Sequence, residues 1–120
     1  MVFPDLVPHA IVTLTKRGAT IIGEREARLL AAVDRVRSIK DAASEAGISY
    51  RTAWSAIQQM EQALGRPMVV SRAGGAGGGA TTLTEECRQL LGLYQDLKRG
   101  LEESMTELWQ APEPAAEAGN

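Results

Sequence analysis

The chain has 120 residues, 44% of them hydrophobic and 23% charged, and a formal net charge of −2, a length that fits one globular domain with a modest core and leaves no room for a second sensory domain. No apolar run approaches the roughly 20 residues of a membrane helix, and the opening MVFPDLVPHA lacks the basic and apolar regions of a signal peptide, so a cytoplasmic protein is expected. One cysteine, Cys87, and one histidine, His9, exclude an internal disulfide and a zinc ligand cluster, and no nucleophile has a base beside it, so neither a cofactor nor catalysis is expected.

Residues 1–9 contain two prolines and read as a flexible N-terminus. The folded domain is predicted over 10–109. Ala10–Thr15 and Ala19–Ile22 are β-branched runs separated by Lys16, Arg17 and Gly18, which predicts a β-hairpin with a basic turn. The turn cations suit phosphate, and equally an ordinary solvated turn. Glu24–Val36 then repeats Ala27, Leu30, Ala31, Val33 and Val36 at helical spacing, with acids at its start and Arg35 and Arg37 at its end to complement the dipole. Leu29 falls off that stripe and is expected to meet another surface.

Ser38–Gly65, SIKDAASEAGISYRTAWSAIQQMEQALG, reads as two helices broken at Gly47. Ser38 with Asp41 is a capping-box-like start, and Ala42, Ala43 and Ala46 give a small-residue face. Gly47 suits the left-handed residue that ends a helix, and Ser49 suits the cap of the next. This is a helix-turn-helix. On the second helix Ala53, Ile57, Met60 and Leu64 fall within about 60° of one another as a buried stripe. Arg51, Ser55, Gln58 and Gln62 lie opposite, flanked by Thr52 and Gln59 on one side and Tyr50 and Trp54 on the other. Arg and Gln can bond bidentately to guanine and adenine edges in a major groove that admits one helix. A solvated amphipathic helix has the same pattern.

Pro67 stops that helix, and Met68–Ser71 and Thr81–Leu83 read as strands around AGGAGGGA. Five glycines fill six positions from Gly74 to Gly79. Strand, loop and strand after a helix-turn-helix make a wing, whose glycine amides approach phosphates closely and whose base carries Arg72. A flexible linker has the same composition, whereas a nucleotide phosphate loop is excluded because no Lys-Ser or Lys-Thr follows. Thr84 is the N-cap of a last helix running to about Trp109, roughly 38 Å at 1.5 Å per residue. Leu90, Tyr94, Leu97, Leu101, Met105 and Leu108 form a seam along this helix, predicted to pair with a second copy through residues 84–109. The first half of the seam can instead fold onto its own domain. Cys87 reads as a small core residue, and 110–120 as a disordered tail.

Charge is segregated along the chain. From Lys16 to Arg72 ten Lys and Arg face six Asp and Glu, a local charge of +4, whereas from Glu85 onward three face eight, a local −5. A basic front half is compatible with nucleic acid despite the negative total.

SIKDAASEAGISYRTAWSAIQQM followed by RAGGAGGGATTLT resembles the N-terminal winged-helix domain of the ModE family of molybdate-responsive regulators, whose pattern is SxxxAAxxxGxSYxxAWxxIxxxN and then GGxGGGGxxLT. The resemblance covers about Ile21–Leu108 and rests on Gly47, Ser49, Tyr50, Ala53, Trp54, Ile57 and Gly74–Gly79. A looser similarity to LysR-type DNA-binding domains runs through Ile57, Leu64, Gly65, Pro67 and the Leu-Thr before the last helix. Three departures stand out. Ala76 replaces a basic wing residue, Glu61 follows Met60 where the family has Asn, and the oxyanion-binding C-terminal domains have no counterpart here, so molybdate sensing does not carry over and any effector is unassigned.

The expectation is therefore a mainly α protein with small β elements, a winged helix-turn-helix with an N-terminal β-hairpin and a long C-terminal dimerisation helix. It would bind double-stranded DNA as a homodimer on an inverted repeat. Ser49, Tyr50, Arg51, Thr52, Trp54, Ser55, Gln58, Gln59, Arg72, Gly74, Gly75, Gly77 and Gly78 are the DNA-contact candidates. A winged-helix module that binds a protein partner, with little DNA affinity, is the alternative favoured by Ala76 and the acidic total.

Overall fold

The chain runs β1 (Leu14–Lys16), β2 (Ala19–Ile22), α1 (Glu24–Val36), α2 (Ile39–Ala46), α3 (Tyr50–Leu64), β3 (Val69–Arg72), β4 (Ala80–Leu83) and α4 (Glu85–Leu108). The computed structural model describes residues 4–74 and 79–109. The candidate wing contacts Gly75, Gly77 and Gly78 and the predicted tail 110–120 lie outside the described residues. Each sheet is a two-stranded antiparallel hairpin, β1 with β2 and β3 with β4, so the fold is a winged helix, mainly α with small β.

Helix boundaries follow the caps read from sequence. Ser38 Oγ accepts from the Asp41 amide, Ser49 Oγ from Thr52 and Thr84 Oγ1 from Cys87, each at 3.0–3.1 Å. Satisfying an otherwise unpaired first-turn amide is what makes these positions helix starts. Gly47 and Gly65 end α2 and α3 in the left-handed region, with φ of 73° and 68°. Arg37 ends α1 in the same conformation at φ 61°, a costlier choice for a residue with a Cβ.

Two expectations need correction. The first strand does not begin at Ala10; pairing is confined to Leu14–Lys16, with a bulge between Leu14 and Thr15. The stretch before it is committed elsewhere, since Val12 is buried and its carbonyl accepts from the Tyr94 hydroxyl at 2.9 Å. The turn itself is only Arg17-Gly18, both at positive φ, which is the backbone a two-residue hairpin requires. The second correction concerns α1. Leu29 is fully buried with Leu30 and Val33, while Ala31 and Val36 are only half-buried. The helix touches α2, α3, α4, β2 and β4, so it buries a wider arc than one stripe.

The core continues through Ile22, Ala42, Ala53, Ile57, Met60, Leu83 and Cys87. The Cys87 thiol is pushed up to about 11 by burial and by the nearby Asp34 carboxylate, so it stays protonated and inert at neutral pH, as a small core residue does. Ion pairs tie the helices at the surface: Arg35 bonds Glu45 through both carboxylate oxygens at 2.8 and 3.0 Å, joining α1 to α2. Arg88 meets Asp34 and Lys98 meets Glu24, joining α4 to α1.

Candidate nucleic-acid interface

The small residues of α2 and α3 decide how the outer surface is presented. Ala42 and Ala43 on α2 and Ala53 and Ala56 on α3 are buried, which lets the two helices approach closely and turns the rest of α3 outward. Arg51, Ser55 and Gln59 are exposed, and Thr52 and Gln58 are half-buried. Tyr50 and Trp54 are 54% and 47% exposed, large values for aromatic side chains in a chain this small. Ser49 is engaged twice, accepting from the Thr52 amide and donating to Thr52 Oγ1 at 2.9 Å, so its hydroxyl belongs to the helix cap. In that arrangement Thr52 Oγ1 accepts, and its own proton has no partner among the described residues.

The wing is fastened to this surface at its base. Strand register pairs Val69 with Leu83, Val70 with Thr82, Ser71 with Thr81 and Arg72 with Ala80. The Thr81 amide donates to Arg37 O, and the Thr84 amide donates to Met68 O, both at 3.0 Å. Side chains alternate across a strand, so Ser71 and Thr81 face α3 while Arg72 lies on the other side of the hairpin. The clefts follow that division. One, of about 270 Å³, lies between wing and helices and is lined by Arg37, Ser38, Lys40, Tyr50, Trp54 and Ser71. Another, of about 570 Å³, holds Arg72 with Arg37, Val70, Thr82 and Arg88. The structure therefore brings Tyr50 and Trp54 together with the base of the wing, but separates Arg72 from them. Gln59 lines a third cleft, on the opposite flank of α3 beside Thr20, Arg25 and Ala63.

Arg37 and Lys40 were absent from the sequence candidates. They precede α3 by ten residues or more of chain, and only the fold sets them beside Tyr50 and Trp54. The available signal was their position around Ser38, at the start of α2, whose amides already favour anions. Electrostatics sharpen the same surface. Among the described residues the ion pairs take up Arg25, Arg35, Arg66, Arg88, Lys98 and Arg99. None of them involves Arg37, Lys40, Arg51 or Arg72. Arg17 on the first hairpin and Arg28 on α1 also stand outside these pairs, so what distinguishes Arg37 and Lys40 is their place in the cleft between α3 and the wing. Lys16 is a different case: its Nζ donates to Ala63 O at 2.9 Å, neutralising the carboxyl end of α3.

The predicted seam on α4 splits. Tyr94 is only 2% exposed and bonds Val12, so it is a core residue and leaves the seam. Leu90 packs half-buried against the core. Leu97, Leu101 and Leu108 remain exposed at 46%, 40% and 81%, and Leu93, absent from the predicted seam, joins them at 67%. Beyond the domain, the Trp109 indole donates to Leu6 O at 3.1 Å.

A family model described as "Bacterial regulatory helix-turn-helix protein, lysR family" matches residues 25–88. The chain is 40% identical over 90 residues to the molybdenum-pterin-binding protein MopB of Rhodobacter capsulatus, covering 75% of this chain and 33% of that protein. It is 35% identical over 89 residues to the transcriptional regulator ModE of Haemophilus influenzae, covering 74% and 35%. It is also 39% identical over 85 residues to the DNA-binding transcriptional dual regulator ModE of Escherichia coli, covering 70% and 32%. The chain spans about a third of the length of these relatives. Because the matched span runs from the first turn of α1 through the helix-turn-helix and wing to the first turn of α4, the chain belongs to the LysR family of bacterial regulatory helix-turn-helix proteins.

Proposed function

We propose that the chain is a sequence-specific DNA-binding transcription regulator that acts as a homodimer on an inverted-repeat operator. The observation that carries this reading is the coincidence of a polar outward face on α3, which includes Arg51, with Arg37 and Lys40 in the cleft beside it, none of the three in an ion pair among the described residues. In this reading α3 enters the major groove. Arg51, Ser55, Gln58 and Gln59 face base edges, with Tyr50 and Trp54 on the flank. Arg37, Lys40, Thr52 and the wing, including Gly74, hold the phosphate backbone, and Arg72 reaches the backbone from the far side of the hairpin. The exposed leucines of α4 pair with those of a second copy and set the distance between the two recognition helices. Among the described residues no helix is long and apolar enough to cross a membrane.

Selection from a pool of random duplexes tests this, followed by affinity against salt. The expected result is an enriched inverted repeat with half-sites one helical turn or a multiple apart. An enriched single half-site would remove the dimer, and steeply salt-dependent binding without any enriched sequence would leave only a non-specific binder. A second reading has its own observation. Exposed Tyr50 and Trp54 are the kind of anchors that dominate protein interfaces, so absence of any DNA binding would favour an interaction module.

A further inference from the structure

Glu61 makes contacts that the proposed base and phosphate contacts leave unexplained. It sits half-buried on α3, one turn beyond Gln58, and uses both carboxylate oxygens. Oε2 accepts from the amides of Met68 at 2.8 Å and Val69 at 3.4 Å, the residues that open the wing. Oε1 accepts from Gln58 Nε2 at 3.4 Å. That last contact is long, but its polarity is decided by chemistry. An ionised carboxylate only accepts, so a neighbouring carboxamide must turn its nitrogen toward it; the opposite flip sets oxygen against oxygen. Gln58 Oε1 has no partner among the described residues, whereas one of its N–H groups is already committed.

We infer that Glu61 is a positioning residue for sequence readout. One oxygen holds the opening amides of the wing against the recognition helix. The other fixes the carboxamide of Gln58 so that its carbonyl oxygen is the group left to accept from the exocyclic amine of an adenine or cytosine. This rests on the reading of α3 as a major-groove helix, and it goes further by naming what Gln58 reads and what orients it. It also gives a reason for an acid near a phosphate-facing surface: two backbone amides and a carboxamide offset its charge.

The test compares duplex selections for the full chain and three variants. Gln58→Ala removes the reader. Glu61→Gln keeps the size and an acceptor for the wing amide but releases the orientation of the carboxamide. Gln58→Glu keeps an acceptor at the reading position but removes the N–H that Glu61 holds. Gln58→Ala and Glu61→Gln should relax preference at the same base-pair position of each half-site by roughly ten-fold, the order one base-edge contact carries, while Gln58→Glu, which can only accept, should move that position toward cytosine; the other positions keep theirs. Thermal unfolding of each variant separates lost readout from lost folding, and the Gln58→Ala selection keeps the proposal open to refutation if Glu61→Gln unfolds. Uniformly weaker binding by Glu61→Gln, with every preference retained, would make Glu61 a structural clamp only and overturn the proposal. So would a Gln58→Ala variant whose preferences are unchanged. If the unmodified chain enriches no sequence, the major-groove reading itself fails, an outcome distinct from either.

Discussion

Arg51 and Arg37 are both exposed cations without an ion-pair partner among the described residues, yet they are expected to behave differently. Arg51 stands on the outward face of α3, where a guanidinium can meet a guanine edge with two bonds, so Arg51→Ala should cost about 1–3 kcal/mol of specific binding and relax one operator position. Arg37 sits at the left-handed end of α1, beside the start of α2 and the base of the wing. Its replacement by Ala should weaken all sequences alike and reduce the salt slope by about 1, because a phosphate contact carries no sequence information. Competition binding on matched and mismatched duplexes at several salt concentrations measures both. The α3 positions were legible from helical periodicity. Arg37 and Lys40 were not, since their role comes from a chain reversal that places the α1–α2 junction against the wing.

The wing is the element whose composition and geometry answer each other most directly. A Cβ on Gly79 would stand 2.6 Å from Arg72 O, too close for any side chain without shifting the strand backbone. Gly79→Ala should therefore loosen the β3–β4 register at Arg72 and Ala80, seen as faster amide exchange in the hairpin, with a moderate loss of DNA affinity and little change in the helices. Helix α4 makes the other element-scale case. Tyr94→Phe would keep the packing and delete the bond to Val12 O. A buried carbonyl left without its partner costs about 1–3 kcal/mol, so chemical denaturation should show a loss of that order. Helical spacing placed Tyr94 on the seam because it shares an arc of the helix with Leu90 and Leu97, and of the two outcomes left open for the first half of that seam, Leu90 and Tyr94 take the one in which it folds onto its own domain. Spacing reports which residues share a face; it does not report which of two neighbouring faces the domain itself covers.

At the scale of the whole molecule, α4 carries an apolar ridge away from the core. The second half of this 24-residue helix presents Leu97, Leu101 and Leu108 to solvent. In the proposed dimer these leucines are buried, and Leu97→Glu with Leu101→Glu should yield a folded monomer by sedimentation equilibrium. Its operator affinity should fall steeply, because linking two half-sites converts the second contact into an intramolecular one. A double variant that stays dimeric would move the interface off this ridge. The monomer should stay folded, since neither leucine is part of the core, but its thermal midpoint should fall and lose its dependence on protein concentration, because association no longer stabilises the folded state.

The sequence alone was enough for the boundaries and type of every helix, for the caps at Ser38, Ser49 and Thr84, and for the existence of the wing. These depend on nearest-neighbour effects: a hydroxyl within reach of a first-turn amide, a glycine at a left-handed end, a proline that cannot continue a helix. Tertiary structure alone decided that Leu29 is core, that Tyr94 ties α4 to Val12, that residues 10–13 stay out of the first hairpin, and that Arg37 and Lys40 join α3. Each of those outcomes depends on what a distant segment covers, and a residue's own periodicity carries no record of that.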